Sequence, residues 1–144
     1  MLRTCSSCGQ TNRIPPEHLH QNGRCGECKT TLPATSAPID VADLATFDAV
    51  IAAAKVPVLV DFWAEWCAPC RMVAPEVGRA AHQLAGTGIV LKVNTDKLPA
   101  LAQRYHVSGI PNFVVFDAGK LVRQQAGAIK AAELVRLLSN TQTA

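Results

Sequence analysis

Along residues 40–140, short runs of apolar residues alternate with segments in which apolar residues recur at helical spacing. Four segments are short and rich in consecutive or alternating apolar residues, and we expect them to form strands: 56–66, 88–96, 112–117 and 120–127. The last two are separated by Asp117-Ala118-Gly119, which is typical of a tight turn. The pattern therefore predicts a buried sheet in which two consecutive strands form a hairpin.

Four further segments place apolar residues three and four positions apart, as a helix with one buried face does: 42–54, 70–84, 98–107 and 129–140. Asp43 is a suitable N-cap for the first helix, and Pro75 should bend the second. With a first strand entered at the end of the stretch 32–40, the order is β-α-β-α-β-α-β-β-α. This order predicts an α/β fold with a mixed central sheet flanked by helices.

The first 32 residues have a different character. Turn-forming residues are frequent there, and the main apolar side chains are Leu2, Ile14, Leu19 and Leu32. Such a segment cannot bury enough apolar surface to fold alone. The Pro, Ala and Ser content of residues 33–38 indicates a linker. We therefore expect a small N-terminal segment at 1–32, a linker at 33–38 and one larger domain at 39–144.

Composition and charge exclude several classes of function. The 144 residues are 49% hydrophobic and 17% charged, and their formal net charge of +3 is not gathered into the basic stripe that nucleic-acid binding requires. The longest apolar stretch, 56–63, is far short of the roughly 20 residues of a membrane-spanning helix. The N-terminus lacks the apolar core of a secretory signal. We expect a monomeric cytoplasmic protein without nucleic-acid or membrane partners.

Cysteine spacing adds the most specific information. The six cysteines form three Cys-x-x-Cys pairs, of which the first two are separated by 16 residues: Cys5/Cys8, Cys25/Cys28 and Cys67/Cys70. The spacing of the first two pairs is typical of a tetrahedral zinc site, and zinc would supply the folding energy that the segment lacks. The alternatives are a disordered tail or two local disulfides. His18 and His20 are competing ligands, but with four cysteines we expect them to face solvent.

The third pair lies between a predicted strand and a predicted helix. Cys67 then occupies an exposed position at the helix N-terminus, where free N–H groups and the helix dipole lower the pKa of its thiol. We therefore expect Cys67 to be a nucleophile and Cys70, one turn on, to be the resolving thiol. Pro69 stiffens this first turn. A metal site is the alternative, but no second pair lies nearby in the sequence.

Several stretches resemble the thioredoxin family: VDFWAEWCAPCRMVAP at 60–75, KVNTD at 92–96, VSGIPNFVVF at 107–116 and AGA at 126–128. With the N-terminal cysteine pairs, the chain is most similar to the bacterial zinc-carrying thioredoxin 2 type. The resemblance implies a protein disulfide reductase that holds one structural zinc ion and no organic cofactor. It also implies two kinds of partner, which are disulfide-containing client proteins and a thioredoxin reductase that uses flavin and NADPH.

Asp61 interrupts the apolar run of the predicted central strand. A carboxyl group buried there without a partner should have a raised pKa. An acid in a strand is more often at an exposed edge, but the resemblance places Asp61 beneath the second cysteine. In the family the matching aspartate assists deprotonation of that cysteine, so the resemblance implies a general base.

The resemblance also implies a surface that docks substrates. It identifies Pro111 as a cis-proline facing the cysteines, with the backbone of Ile110 pairing with an extended substrate segment. Trp66 and Gly127 would complete this surface, whereas we expect Trp63 to pack in the core. The chain departs from the family pattern at Ala68, where glycine is frequent, and at Asn112, where threonine is common.

Two other functions fit parts of the sequence. A disulfide oxidase or isomerase would use the same cysteine pair, but we would expect an export signal. A zinc-thiol redox sensor or holdase would make the N-terminal segment the principal site. Turnover with insulin disulfides and a reductase distinguishes these functions from a reductase.

Overall fold

In the computed structural model, which describes residues 1–142 and side chains as far as residue 139, the N-terminal segment forms two antiparallel hairpins. The elements are β1 (Leu2–Thr4), β2 (Thr11–Arg13), a 3-10 turn (Pro16–His18), β3 (Gly23–Arg24) and β4 (Thr31–Leu32). Strand β1 pairs with β2 and β3 with β4. Strands of two or three residues are too short to show a period, so the sequence indicated only turns here.

The larger part of the chain contains the predicted order of elements. They are β5 (Ile39–Asp40), α1 (Leu44–Ala53), β6 (Val58–Trp63), α2 (Ala68–Gln83), β7 (Ile89–Asn94), α3 (Pro99–Arg104), β8 (Asn112–Asp117), β9 (Lys120–Ala126) and α4 (Ala131–Gln142). Asp43 caps α1, since its Oδ1 accepts a 2.7 Å hydrogen bond from the Thr46 amide. Within residues 1–142, no helix combines the length and apolar character needed to cross a membrane.

The five strands β5 to β9 form one mixed sheet in the order β5-β7-β6-β8-β9. Strands β5, β7 and β6 are parallel, and β8 is antiparallel to both β6 and β9. The prediction of a mixed central sheet is therefore confirmed. Strand β6 is central, which explains why its sequence is almost continuously apolar.

Alternate residues of β6 face two apolar clusters. Val60 and Phe62 belong to the cluster that includes Phe47 of α1, while Leu59 belongs to the cluster of α2 and α4. Since side chains alternate along a strand, Asp61 shares the face of Leu59. Helix α2 returns along this face, so Asp61 lies on the side of the sheet that the cysteine-bearing helix covers.

The N-terminal segment packs against the larger domain. Its buried Ile14, Leu19 and Leu32 belong to the same apolar cluster as Phe47, and the 3-10 turn contacts α1. The predicted linker is irregular but held in place, because the Thr35 amide donates to the Leu19 carbonyl at 3.2 Å. These three side chains are thus buried through the larger domain and not in a core of their own, whereas Leu2 is exposed.

Candidate functional site

Cys67 and Cys70 form a disulfide at the start of α2, with a Cα–Cα distance of 5.3 Å. Cys67 is the N-cap of the helix, and its Sγ accepts a hydrogen bond of 3.2 Å from the Cys70 amide. Pro69 lies in the first turn, where the helix leaves backbone N–H groups without partners and a proline is tolerated. The pair therefore occupies the electropositive end of the helix, as the sequence predicted.

The expectation that Cys67 is exposed is wrong for this disulfide form. Cys67 is only 4% exposed and Cys70 only 3%. Both pack with buried Ala64 and half-buried Ile110, and the Ile110 carbonyl oxygen lies 3.6 Å from Sγ of Cys67. The two sulfurs therefore differ in their position on the helix and not in their exposure.

The four residues expected to dock substrates differ in exposure. Trp66 is 69% exposed, Gly127 is exposed, Ile110 is half-buried and Pro111 is buried. The Ile110–Pro111 peptide bond is cis. The Gly127 amide donates to the Pro111 carbonyl at 2.8 Å, and a φ of +100° at Gly127 favours glycine. Pro111 thus contributes mainly backbone to this region.

Sequence reasoning missed two residues of the same region. The Trp66 indole Nε1 donates to Oδ2 of Asp96 at 3.0 Å, which fixes the ring across 30 residues of sequence. Met72 of α2 is 78% exposed, so a second large apolar side chain lies in solvent two residues after Cys70. No local pattern signals the Asp96 contact, but helical spacing places Met72 outside the buried face of Val73 and Val77.

Asp61 is 1% exposed, and its Oδ1 has no hydrogen-bond partner among the described residues. Burial without compensation disfavours the charged form. It raises the pKa of Asp61 to about 7, while the charge of Lys92 acts in the opposite direction. The alternative of an exposed edge is therefore wrong, and the expected rise of the pKa is confirmed.

Lys92 is a second charged residue that interrupts an apolar strand. It lies in register with Asp61 on the adjacent parallel strand, so both side chains are on one face. Its Nζ lies 4.5 Å from the centroid of the half-buried Trp63 ring, within range of a cation–π interaction. The sequence IVLKVN contained this signal, because Lys92 breaks its strand as Asp61 breaks the neighbouring one.

The two departures from the family pattern have different environments. Ala68 is exposed as the first residue of α2. Asn112 is 6% exposed, and its Oδ1 accepts a hydrogen bond of 3.2 Å from Nε2 of Gln124 on β9. Gln124 Nε2 also donates to the Tyr105 carbonyl. Asn112 therefore links β8 to the edge strand, and its side chain is buried.

The four N-terminal cysteines converge on one point, with their sulfurs all within 4.8 Å of one another: Cys5, Cys8, Cys25 and Cys28. The Sγ atoms of Cys5 and Cys28 are 3.6 Å apart, and those of Cys8 and Cys25 are also 3.6 Å apart. A tetrahedral zinc ion with Zn–S bonds of about 2.3 Å separates its sulfurs by about 3.8 Å, so the cluster has nearly the required size. The donor set, four thiols without a carboxylate, suits zinc.

Neighbouring groups stabilise this cluster. The Cys25 pKa is lowered to about 6, chiefly by the backbone hydrogen bond from Cys28, and Asn12 Nδ2 lies 3.6 Å from its Sγ. Asn12 also accepts a 2.9 Å hydrogen bond from the Gly26 amide, so it joins the two hairpins. Neither histidine belongs to the cluster. His18 is exposed as expected, whereas His20 is half-buried.

Comparison with known families gives two matches in this chain. The family model described as Thioredoxin matches residues 38–140. A second model, described as Thioredoxin 2, N-terminal, matches residues 4–30. The second match covers all four clustered cysteines, and the first covers the Cys67–Cys70 pair.

Curated proteins and solved structures give the same result. Thioredoxin C-3 of Corynebacterium nephridii is 35% identical over 96% of this chain and 93% of its own length. Thioredoxin 1 of a Nostoc species is 45% identical over 72% of this chain and 95% of its own. A mutant thioredoxin from Halobacterium salinarum superimposes with a TM-score of 0.68 at 33% identity, covering 74% of this chain and 91% of that one. The chain therefore belongs to the thioredoxin family and is a thiol-disulfide oxidoreductase with an N-terminal zinc-ribbon-like segment.

Proposed function

We propose that the protein is a general protein disulfide reductase in which Cys67 is the nucleophile and Cys70 the resolving thiol. The observation that carries this proposal is the hydrogen bond from the Cys70 amide to Sγ of Cys67 at the start of α2. A backbone N–H directed at one sulfur stabilises the thiolate on that sulfur, and the helix dipole acts in the same sense. The nucleophile needs this thiolate form.

In the first step, the Cys67 thiolate attacks one sulfur of a client disulfide. The Cys67–client bond forms, the client disulfide breaks, and the other client sulfur leaves as a thiolate that takes a proton from water. The Ile110 carbonyl, 3.6 Å from Sγ of Cys67, provides a backbone acceptor beside the reacting sulfur for an extended client segment. Trp66 and Gly127 offer exposed surface.

In the second step, Asp61 removes the proton from Cys70. Its pKa of about 7 lets the carboxylate accept a proton near neutral pH, and it lies on the sheet face that α2 covers. The Cys70 thiolate then attacks Sγ of Cys67, which forms the intramolecular disulfide and releases the client sulfur as a thiolate that takes a proton from water. A thioredoxin reductase would supply the two electrons that restore the dithiol.

The N-terminal segment would hold one structural zinc ion through its four thiolates. Zinc would supply coordination bonds that replace a hydrophobic core. The size of the cluster, the Asn12 hydrogen bonds and a full complement of four cysteine ligands support a closed, non-catalytic site. We propose the division 1–32, 33–38 and 39–144 as domain boundaries and the cytoplasm as the place of action.

A coupled assay tests the proposal. The protein, a thioredoxin reductase and NADPH are incubated with insulin, and NADPH oxidation and precipitation of the insulin B chain are followed. We expect turnover with wild type and none with Cys67→Ser, while Ser7→Ala serves as a control outside the pair. Oxidation of reduced ribonuclease without insulin reduction would contradict the reductase function.

A further inference from the structure

Three residues on adjacent strands form a row of alternating charge on the sheet face that α2 covers. Asp40 of β5 lies in register with Lys92 of β7, and Lys92 with Asp61 of β6. Because these strands are parallel, residues in register point to one face. The row begins at exposed Asp40, passes half-buried Lys92 and ends at Asp61, which is 1% exposed.

A cavity of about 540 Å³ lies over the outer part of this row. Asp40, Lys92 and Trp63 all contribute to its lining. The Lys92 ammonium lies over the Trp63 ring, and in the described structure it is within 4.0 Å of neither carboxylate. The ammonium is carried by a flexible four-carbon chain and has an acid on each side. Its mean position therefore depends on the balance between the two carboxylates.

We propose that Asp40 is a positioning residue for the resolving step, because its carboxylate attracts the Lys92 ammonium toward the sheet edge and weakens the stabilisation that Lys92 gives to the Asp61 anion. The inference rests on the proposed role of Asp61 as the base for Cys70. Asp40 thereby keeps Asp61 more basic than Lys92 alone would allow, and a more basic carboxylate is better matched to a thiol proton at neutral pH.

The direct field of Asp40 acts in the same direction. Two strand spacings separate Asp40 from Asp61, which is about 10 Å. A negative charge at that distance disfavours a second negative charge at Asp61. Removing the Asp40 charge therefore lowers the pKa of Asp61 both directly and by releasing Lys92. The two contributions add, so the sign of the effect does not depend on their ratio.

Other charged and titratable groups around the row do not reproduce this arrangement. Glu65 and Lys97 line the same cavity and carry opposite charges. Helix α2 contributes the disulfide-bonded Cys67 and Cys70, and β8 places the uncharged Phe113 in register with Asp61. Of the charged residues that line the cavity with Lys92, namely Asp40, Glu65 and Lys97, Asp40 is the one in register with Lys92.

The test is a carbon-13 NMR titration of the Asp61 carboxyl group in the full oxidised chain. We expect Asp40→Asn to lower the Asp61 midpoint by about 0.5 pH unit or more, as one charge at this distance in a partly buried site does. The control is Asp117→Asn, which makes the same charge change at the far end of β8 and should leave the midpoint unchanged. A shift of less than about 0.2 unit in Asp40→Asn, or an equal shift in the control, would overturn the proposal.

A second pair of variants tests the route through Lys92. In a Lys92→Met background, Asp40→Asn should shift the Asp61 midpoint by less than half of its effect in wild type. If Asp40→Asn shifts the Asp61 midpoint as much in this background as in wild type, Asp40 acts on Asp61 only through its direct electric field, and the positioning role of Asp40 is rejected. The titration does not measure turnover, so its failure is separate from that of the reductase function. If the Asp40 proposal and the reductase proposal are both correct, the low-pH side of the pH profile of the resolving rate shifts together with the Asp61 midpoint.

Discussion

The Cys70 amide nitrogen lies 3.2 Å from Sγ of Cys67 and donates a hydrogen bond to it. This bond joins two residues that a disulfide would otherwise make equivalent. It places partial positive charge at the Cys67 sulfur, because the amide belongs to the first turn of a helix. Burial does not distinguish the pair, since both side chains are at most 4% exposed. The backbone hydrogen bond therefore distinguishes the two sulfurs where burial does not.

Single-cysteine variants should separate the two roles. Cys67→Ser removes the proposed nucleophile, so we expect reduction to be abolished and no adducts with client proteins. Cys70→Ser retains the nucleophile but cannot resolve it, so mixed disulfides with clients should accumulate. Non-reducing gels of cells that express each variant, with and without added dithiol, provide the measurement. Adducts through Cys70 in Cys67→Ser, with none in Cys70→Ser, would reverse the assignment.

Asp61→Asn should slow the resolving step, because Cys70 then loses the base that we propose for it while Cys67 is unchanged. We expect a decrease of roughly 10- to 100-fold near pH 7, within the range that general-base catalysis supplies. Rapid mixing with a fluorescent client disulfide can separate the first bond from its resolution. Asp117→Asn is the matched control. A resolving rate that is normal from pH 6 to 8 would make Asp61 a structural residue only.

The same substitution should increase stability, and more so at high pH. The pKa of Asp61 is about 7 in the folded protein and about 3.9 when unfolded, so between these values the folded state binds more protons. Stability should therefore fall as pH rises from 4 to 7. We expect Asp61→Asn to raise the unfolding free energy by about 2–4 kcal/mol at pH 8 and by far less at pH 4. Urea unfolding of the oxidised proteins at both pH values measures this, and an equal gain at both would contradict it.

Zinc content should depend on all four clustered thiols. Protein purified without chelator should hold one zinc ion per chain by elemental analysis. Cys25→Ser should lose zinc or bind it at least 100-fold more weakly, since a proposed thiolate ligand and the Asn12 contact to it are removed together. Ser6→Ala, between the ligands of the first pair, is the control. A full equivalent with unchanged affinity in Cys25→Ser would exclude the site.

Removal of residues 1–32 should leave a folded and active reductase. The sheet, the disulfide and Asp61 all lie beyond that segment. We nevertheless expect the unfolding free energy to fall by about 2 kcal/mol or more, because buried Ile14, Leu19 and Leu32 no longer cover the α1 side. Urea unfolding and insulin reduction are the measurements. Loss of cooperative unfolding would show that the segment is required for the fold.

Two substitutions in the intact chain check that packing. Leu19 is 2% exposed within the shared apolar cluster, so Leu19→Ala should destabilise the protein by about 2–4 kcal/mol. Leu2 is 71% exposed, and Leu2→Ala should change stability by less than about 0.5 kcal/mol. Equal effects would show that packing of Leu19 in the shared apolar cluster does not stabilise the protein.

Local signals account for the parts of the structure that could be predicted. The apolar run of β6, the Asp43 cap and the spacing of the cysteine pairs are each contained within a few residues, so the order of elements was correct. The resemblance supplied the cis bond before Pro111. A raised pKa at Asp61 followed from burial in a central strand.

Contacts between distant residues were not predictable in the same way. The hydrogen bond from Trp66 to Asp96 spans 30 residues, and the docking of Leu19 on α1 joins two segments that each look ordinary alone. The burial of Cys67 depends on the approach of Ile110 from a loop 43 residues away. Such contacts are fixed by how the elements pack, for which a single sequence has no periodic signal.

The two hairpins of the N-terminal segment each carry half of the sulfur cluster. Cys5 and Cys8 belong to the first hairpin, Cys25 and Cys28 to the second, and neither hairpin can complete four-coordinate binding alone. Loading should therefore be all-or-none in each molecule. At half an equivalent of zinc, a sample should contain two populations: chains in which the two hairpins share one ion, and chains without an ion.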